Sequence, residues 1–269
     1  MKKSAWRDKF TAVQEGRSLD EFRGRSGNLV VISPHPDDDI LGAGGVMIEA
    51  AEKGRGVFSV TVTDGRGSPR KGPAISDEEM VERRQKESTA ALKVVGAAGG
   101  FYLRRRSSDL EGEGGKEVEK DLRDLFEWLT PGEVYLPAPY ERHKTHQRVT
   151  RLALEALRSS AASNPSLLGY NLWGGFFGEK KRRVKDISPF IRKKVQAVLA
   201  HSTQIAYKNY QQGILGRNNA EAIFWESHDI QKASFVETFL DMTELLERKN
   251  LSLDNFIRED VESFIRAFL

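Results

Sequence analysis

The chain has no cysteine among its 269 residues. That excludes disulfides, thiolate nucleophiles and sulfur-ligated zinc, so any metal must be held by His, Asp or Glu. Histidine is scarce as well: His35, His143, His146, His201 and His228 make up the whole supply. Long hydrophobic runs are also missing. No stretch approaches the roughly 18 apolar residues of a membrane span, and the first 28 residues lack the apolar centre of a secretion signal. The expectation is a cytoplasmic protein with no membrane span. No charge sign dominates, because 42 Lys+Arg face 39 Asp+Glu for a formal net charge of +3. A dedicated nucleic-acid binder shows far more asymmetry, so no nucleic-acid partner is expected.

What is present is concentrated in one stretch. Residues 33–45 read Ser-Pro-His-Pro-Asp-Asp-Asp-Ile-Leu-Gly-Ala-Gly-Gly. The apolar run Leu29-Val30-Val31-Ile32 precedes them, and a helical pattern from Val46 to Ala51 follows. A β-branched run of that length suits a buried parallel strand. One His and three carboxylates therefore sit at the carboxyl end of a strand, where open α/β sheets bind ligands. Acids crowded beside a buried strand are costly unless a cation or hydrogen bonds hold them.

Elsewhere helical and strand patterns alternate. A helix is read over Trp6 to Phe22, a strand over Val57 to Thr63, and a helix from Ser76 to Val95. A short strand at Phe101 to Leu103 and a loop from Arg104 to Gly115 come next. Then follow a helix from Glu117 to Leu129, a strand at Glu133 to Leu136, and a helix from Thr145 to Leu157. The remainder reads as a strand near Leu168 to Trp173, a strand ending at Asp186, and several helices. This alternation predicts an α/β fold with a mainly parallel sheet and helices on both faces. Residues 1–269 read as one domain, with 28–160 as the core that carries the site and 161–269 as further strands and helices of the same domain.

A second cluster, His143-Lys144-Thr145-His146, also follows a predicted strand. His35 and Asp38 on a tight loop, joined by His146, make a catalytic zinc set with a fourth position left for water. Zinc so placed makes hydroxide available at neutral pH. Asp37, beside Asp38, is placed to act as general base. His143 points into the same cleft, where its protonated form stabilises an oxyanion or protonates a departing amine. The plain alternatives are a turn at His35 to Asp38 with Asp37 as a cap, and two exposed histidines at a helix start. Two clusters, each after an apolar strand, favour the metal. Asp39 is assigned an N-cap or loop role, and His201 and His228 structural ones.

His35-Pro36-Asp37-Asp38-x-x-Leu41-Gly42-x-Gly44-Gly45 resembles the signature of the LmbE/PIG-L family of zinc-dependent sugar N-deacetylases. Arg84-x-x-Glu87, His143-x-x-His146, Asp186-Ile187-Ser188, Lys194 and His201-Ser202-x-Gln204 extend the resemblance over roughly residues 28–225. It implies a Rossmann-like three-layer fold and removal of an N-acetyl group from an amino sugar, usually glucosamine. The implied partner is a small acetylated amino sugar or glycoconjugate. Carried over by residue, His35, Asp38 and His146 hold Zn2+, with Fe2+ as another option. Asp37 is the general base, and His143 assists the oxyanion and the leaving amine. Asp109 falls where the family has an acid that grips sugar hydroxyls. Arg66 reads equally as a mouth residue or a solvated loop charge, and Glu87 as a structural partner of Arg84 or another loop-holding base rather than a catalyst. The resemblance also allows a homo-oligomer.

One departure stands out. The family's second motif usually reads His-Pro-Asp-His, and here Thr145 replaces the acid. Glu141 or Asp109 is the candidate substitute. The basic runs Arg104 to Arg106 and Lys180 to Lys185 read as solvated faces, and Asn171 to Phe177 as core or interface rather than a sugar platform. Two other functions stay open: a zinc hydrolase of another amide or ester, and a carbohydrate-binding protein without turnover.

Overall fold

The computed structural model describes residues 6–13, 18–71, 74–162, 164–175, 180–224 and 232–268. His228, Phe176 and Phe177 lie outside the described residues. After a 3-10 turn at Arg7–Lys9 come β1 (Phe10–Ala12), β2 (Leu29–Ser33), α1 (Asp38–Glu52) and β3 (Val57–Thr63). Then follow α2 (Asp77–Val95), β4 (Gly99–Arg105), α3 (Gly112–Leu129), β5 (Glu133–Pro137) and α4 (Lys144–Ser159). The second half holds β6 (Ser166–Tyr170), β7 (Arg182–Asp186), α5 (Ile191–Leu199), α6 (Ser202–Ile205) and α7 (Tyr210–Phe224). It ends with β8 (Val236–Asp241), α8 (Glu244–Glu247) and α9 (Leu253–Phe268).

Among the described residues, eight strands form one sheet in the order β1-β4-β3-β2-β5-β6-β8-β7. The five central strands run parallel, while β1 at one edge and β8 and β7 at the other pair antiparallel. Every residue of β2 and β3 is buried, as a sheet covered on both faces requires. One face carries α3, α4, α8 and α9 over Phe58, Phe101 and Leu136. The other carries α1, α2, α5 and α7 over Val31, Tyr135 and Phe239. The predicted α/β, three-layer architecture is the one observed.

Strand order decides where the site lies. From β2 the chain steps outward to β3 and β4, then returns to β5 on the opposite side of β2. The reversal opens a crevice at the carboxyl ends of β2 and β5. Both histidine clusters follow those two strands.

The glycines of the signature fit α1 into this corner. A Cβ on Gly42 would lie 2.4 Å from the Tyr170 ring, and one on Gly45 2.4 Å from Ile187 Cγ2. The helix breaks at Ala43 (φ −138°, ψ 15°). Past the break, the N–H groups of Gly45 and Val46 donate to Glu237 on β8 at 2.7 and 2.9 Å. Lys194 on α5 neutralises that buried carboxylate at 2.7 Å.

Two local expectations need correction. The helix expected over Trp6 to Phe22 is replaced, in its described part, by 3-10 turns and β1, because Phe10–Ala12 completes the edge of β4. The loop expected over Arg104 to Gly115 is shorter: β4 runs to Arg105, a 3-10 turn spans Ser107–Asp109, and α3 starts at Gly112. Most of the basic run Lys180 to Lys185 forms edge strand β7, whose residues are half-buried or exposed. No helix among the described residues is long and apolar enough to cross a membrane.

Candidate metal centre

The loop after β2 turns sharply enough for the backbone N–H of His35 to donate to Asp38 Oδ2 at 2.9 Å. His35 Nδ1 lies 2.9 Å from the same oxygen. From α4, His146 Nε2 comes within 3.1 Å of Asp38 Oδ2 and 3.2 Å of His35 Nδ1. Three donor atoms thus form a nearly equilateral triangle. Ligands about 2.0–2.1 Å from a tetrahedral zinc are separated by ~3.3 Å, so the spacing fits. His143, at the N-cap of α4, completes a group whose His35, His143 and His146 nitrogens lie within 4.8 Å of one another.

The electrostatics ask for a cation at this point. Burial opposes charge on Asp38, yet His146 and His35 hold its carboxyl well below the usual range. Burial also opposes charge on His146, but Asp38 and Glu141 outweigh it and push the imidazole up to about 10. The two carboxylates that favour positive charge on this imidazole would equally favour a bound cation in the same place. His143 moves the opposite way: burial, then repulsion from His35 and His146, lowers it.

Glu141 answers the question raised by Thr145, in an unexpected place. It is fully buried, and its Oε2 faces His146 Nδ1 at 3.3 Å. His146 Nδ1 makes no hydrogen bond among the described residues, so the contact is electrostatic; carboxylates in this place orient ligating histidines. Glu141 therefore serves His146 rather than His143. Asp109 is exposed on its 3-10 turn and accepts from Ser108 Oγ at 2.7 Å.

Asp37 is the N-cap residue of α1, and its Oδ1 pairs with Arg84 Nη2 at 3.0 Å, both side chains buried. Arg84 is anchored in turn by Ser68 Oγ at 2.6 Å. Glu87 is not the partner of Arg84. It accepts from Ser202 Oγ, Thr203 N and Thr203 Oγ1 at 2.6–2.8 Å, holding the start of α6. Asp39 is no N-cap either: it lies inside the first turn of α1 and accepts from Ile40 N at 2.9 Å. Burial pushes its carboxyl up to about 6. His201 is buried, with neither ring nitrogen hydrogen-bonded among the described residues.

A cavity of about 570 Å³ opens above these groups, with His35, Asp37, Asp38 and His143 at its floor. Arg66, tied to Asp64 at 2.7 Å, lines one wall, and Arg106, Ser107 and Ser108 line another. Trp173, Gln204 and Tyr210 close it from the C-terminal half. Sequence reasoning missed these last contributions, although the aromatic stretch at 171–177 was a usable signal. It missed the Asp37–Arg84 pair as well.

Residues 30–157 match the model of a known family, PIG-L: GlcNAc-PI de-N-acetylase. The chain is 28% identical over 190 residues to a diacetylchitobiose deacetylase of Thermococcus kodakarensis, covering 65% of this chain and 69% of the relative. An N,N'-diacetylchitobiose deacetylase from Pyrococcus horikoshii superposes with a TM-score of 0.69 at 22% identity, over 89% of this chain and 92% of that one. The 4-carboxy-2-hydroxymuconate hydratase GalB from Pseudomonas putida KT2440 superposes with a TM-score of 0.66 at 18% identity, over 80% and 96%. At these identities the structural likenesses establish the fold alone.

Proposed function

With residues 30–157 a domain of the LmbE/PIG-L family, we propose that this protein is a metal-dependent hydrolase that removes the acetyl group from an N-acetylglucosamine-type sugar. The observation that carries this reading is the triangle of His35, Asp38 and His146 donors beside the buried Asp37–Arg84 pair. Two imidazole nitrogens and a carboxylate oxygen suit zinc first, with Fe2+ as the other option. A divalent ion in such a pocket acts as a Lewis acid and makes hydroxide available near neutral pH.

The protein's own groups divide the remaining work. Asp37 accepts the proton that the attacking water gives up as its oxygen bonds to the acetamide carbon. Arg84 keeps that carboxylate fixed at the floor. Glu141 sets the orientation of His146. His143, exposed on the cavity side, is assigned to the carbonyl oxygen as it gains charge and to the departing nitrogen, which receives the proton that Asp37 took from water. The products are acetate and a free amino sugar. Arg66 and Asp109 are assigned to the sugar hydroxyls, and the sheet shared by both halves supports one domain over residues 1–269.

Acetate assayed after incubation with N-acetylglucosamine, N,N'-diacetylchitobiose and simple amides and esters tests this reading. Release from the sugars alone is the expected outcome, and Asp37→Ala abolishes it. A fully active Asp37→Ala enzyme contradicts the proposed role. Turnover of the simple amides or esters without acetate from the sugars supports the second reading, a metal-dependent hydrolase of another amide or ester.

A further inference from the structure

Leu41, Trp173 and Tyr210 line the main cavity and also a smaller recess of about 160 Å³, closed by Leu172, Gly213 and Ile214. The recess is therefore a side chamber of the proposed active site. Its lining is almost wholly apolar. Arg217 reaches it, but its guanidinium is committed to the carbonyls of Asn171 and Leu172 at 2.5 Å each.

Trp173 is the telling residue. It is 41% exposed, yet its backbone is pinned. Buried Glu141, the same carboxylate that faces His146, accepts the main-chain N–H of Trp173 at 3.1 Å from each oxygen. Its ring meets Tyr210 edge-on, with centroids 6.4 Å apart at 86°. A large aromatic on a pinned backbone, in contact with solvent, with Tyr210 at its edge and Lys208 Nζ 5.3 Å from its ring centroid, suits a binding surface beside the candidate centre. The size of the recess is informative too: a cavity of ~150 Å³ lined by aliphatic side chains takes up benzene.

We propose that this recess is a subsite for an apolar group of about phenyl size, carried by the substrate on the sugar carbon next to the one bearing the acetamide. The proposal rests on the deacetylase reading for the placement of the sugar. Two substituents on neighbouring ring carbons stay within a few bonds of each other. An acetamide above the His35–Asp38–His146 triangle therefore leaves its neighbour near the shared wall of Leu41, Trp173 and Tyr210.

The test compares phenyl and methyl N-acetyl-β-D-glucosaminide as substrates. Burial of a phenyl ring predicts a kcat/KM for the phenyl glycoside at least about tenfold above that for the methyl one. Gly213→Leu adds an apolar side chain at the lining of the recess, where a Cβ meets no atom within 4 Å. In that variant the phenyl-to-methyl ratio falls to about unity. Equal kcat/KM for the two glycosides in the wild type overturns the subsite and leaves the deacetylase reading intact. Acetate from neither glycoside overturns the deacetylase reading, and titration calorimetry with the same two compounds then decides the subsite. Tighter binding of the phenyl glycoside, erased by Gly213→Leu, upholds it; equal binding overturns it.

Discussion

Asp37, Asp38 and Asp39 are adjacent in the chain and chemically unlike. Asp38 faces two imidazoles, Asp37 an arginine, and Asp39 the buried backbone of its own helix turn. Replacing Asp37 by Ala is expected to lower acetate release by about 10²–10⁴, while metal analysis still finds about one zinc per chain. Loss of zinc together with activity would move Asp37 into the ligand set. Gly42→Ala tests the fit of the signature, since its Cβ would meet the Tyr170 ring at 2.4 Å. A loss of about 1–3 kcal/mol in urea unfolding is expected from such overpacking. The convergence of His35, Asp38 and His146, with Asp37 beside them, was legible because so many potential ligating groups stand within a few residues of two strand ends. Arg84 and Glu141 were recognised as charges, but their partners are set by how α2 and the turn after β5 pack, which local spacing does not encode.

At the scale of elements, the central parallel strands and their helices were readable from apolar runs and helical periodicity. What escaped depends on tertiary contact. β1 is three residues long and exists by pairing with β4. α3 begins in Gly112-Glu113-Gly114-Gly115, a poor helix start by propensity. Its glycines are required all the same, because a Cβ at Gly114 would lie 2.1 Å from the Asp109 carbonyl oxygen. The broken α1 is held to β8 and α5 by Glu237 and Lys194, with Asn218 accepting from Lys194 at 3.1 Å. Lys194→Met leaves the Glu237 carboxylate buried without its cation, and a loss of about 3–5 kcal/mol in stability is expected. Denaturant unfolding measures it, and a change below about 1 kcal/mol contradicts the role given to this pair.

The whole molecule places one reactive crevice where the strand order reverses, and it draws walls for that crevice from both halves of the chain. His201 links the two halves electrostatically and makes global stability pH-dependent. Burial holds its imidazole below the ordinary 6.5, Asp37 and Glu87 oppose that lowering, and Arg84 adds to it. The unfolded chain therefore takes up this proton at higher pH than the folded one. Stability from this group is constant well above pH 6.5 and falls as the pH drops below it, until the folded-state value is passed. His201→Gln should reduce the drop in Tm between about pH 7 and about pH 5; an unchanged drop contradicts the assignment.

The most direct measurement is acetate release from N,N'-diacetylchitobiose by the purified chain, before and after chelation and again after zinc is restored. Release that stops with the chelator and returns with zinc is the expected result. Release that continues in the chelated protein, or no acetate from the zinc-loaded one, would contradict a metal-dependent deacetylase centre at His35, Asp38 and His146.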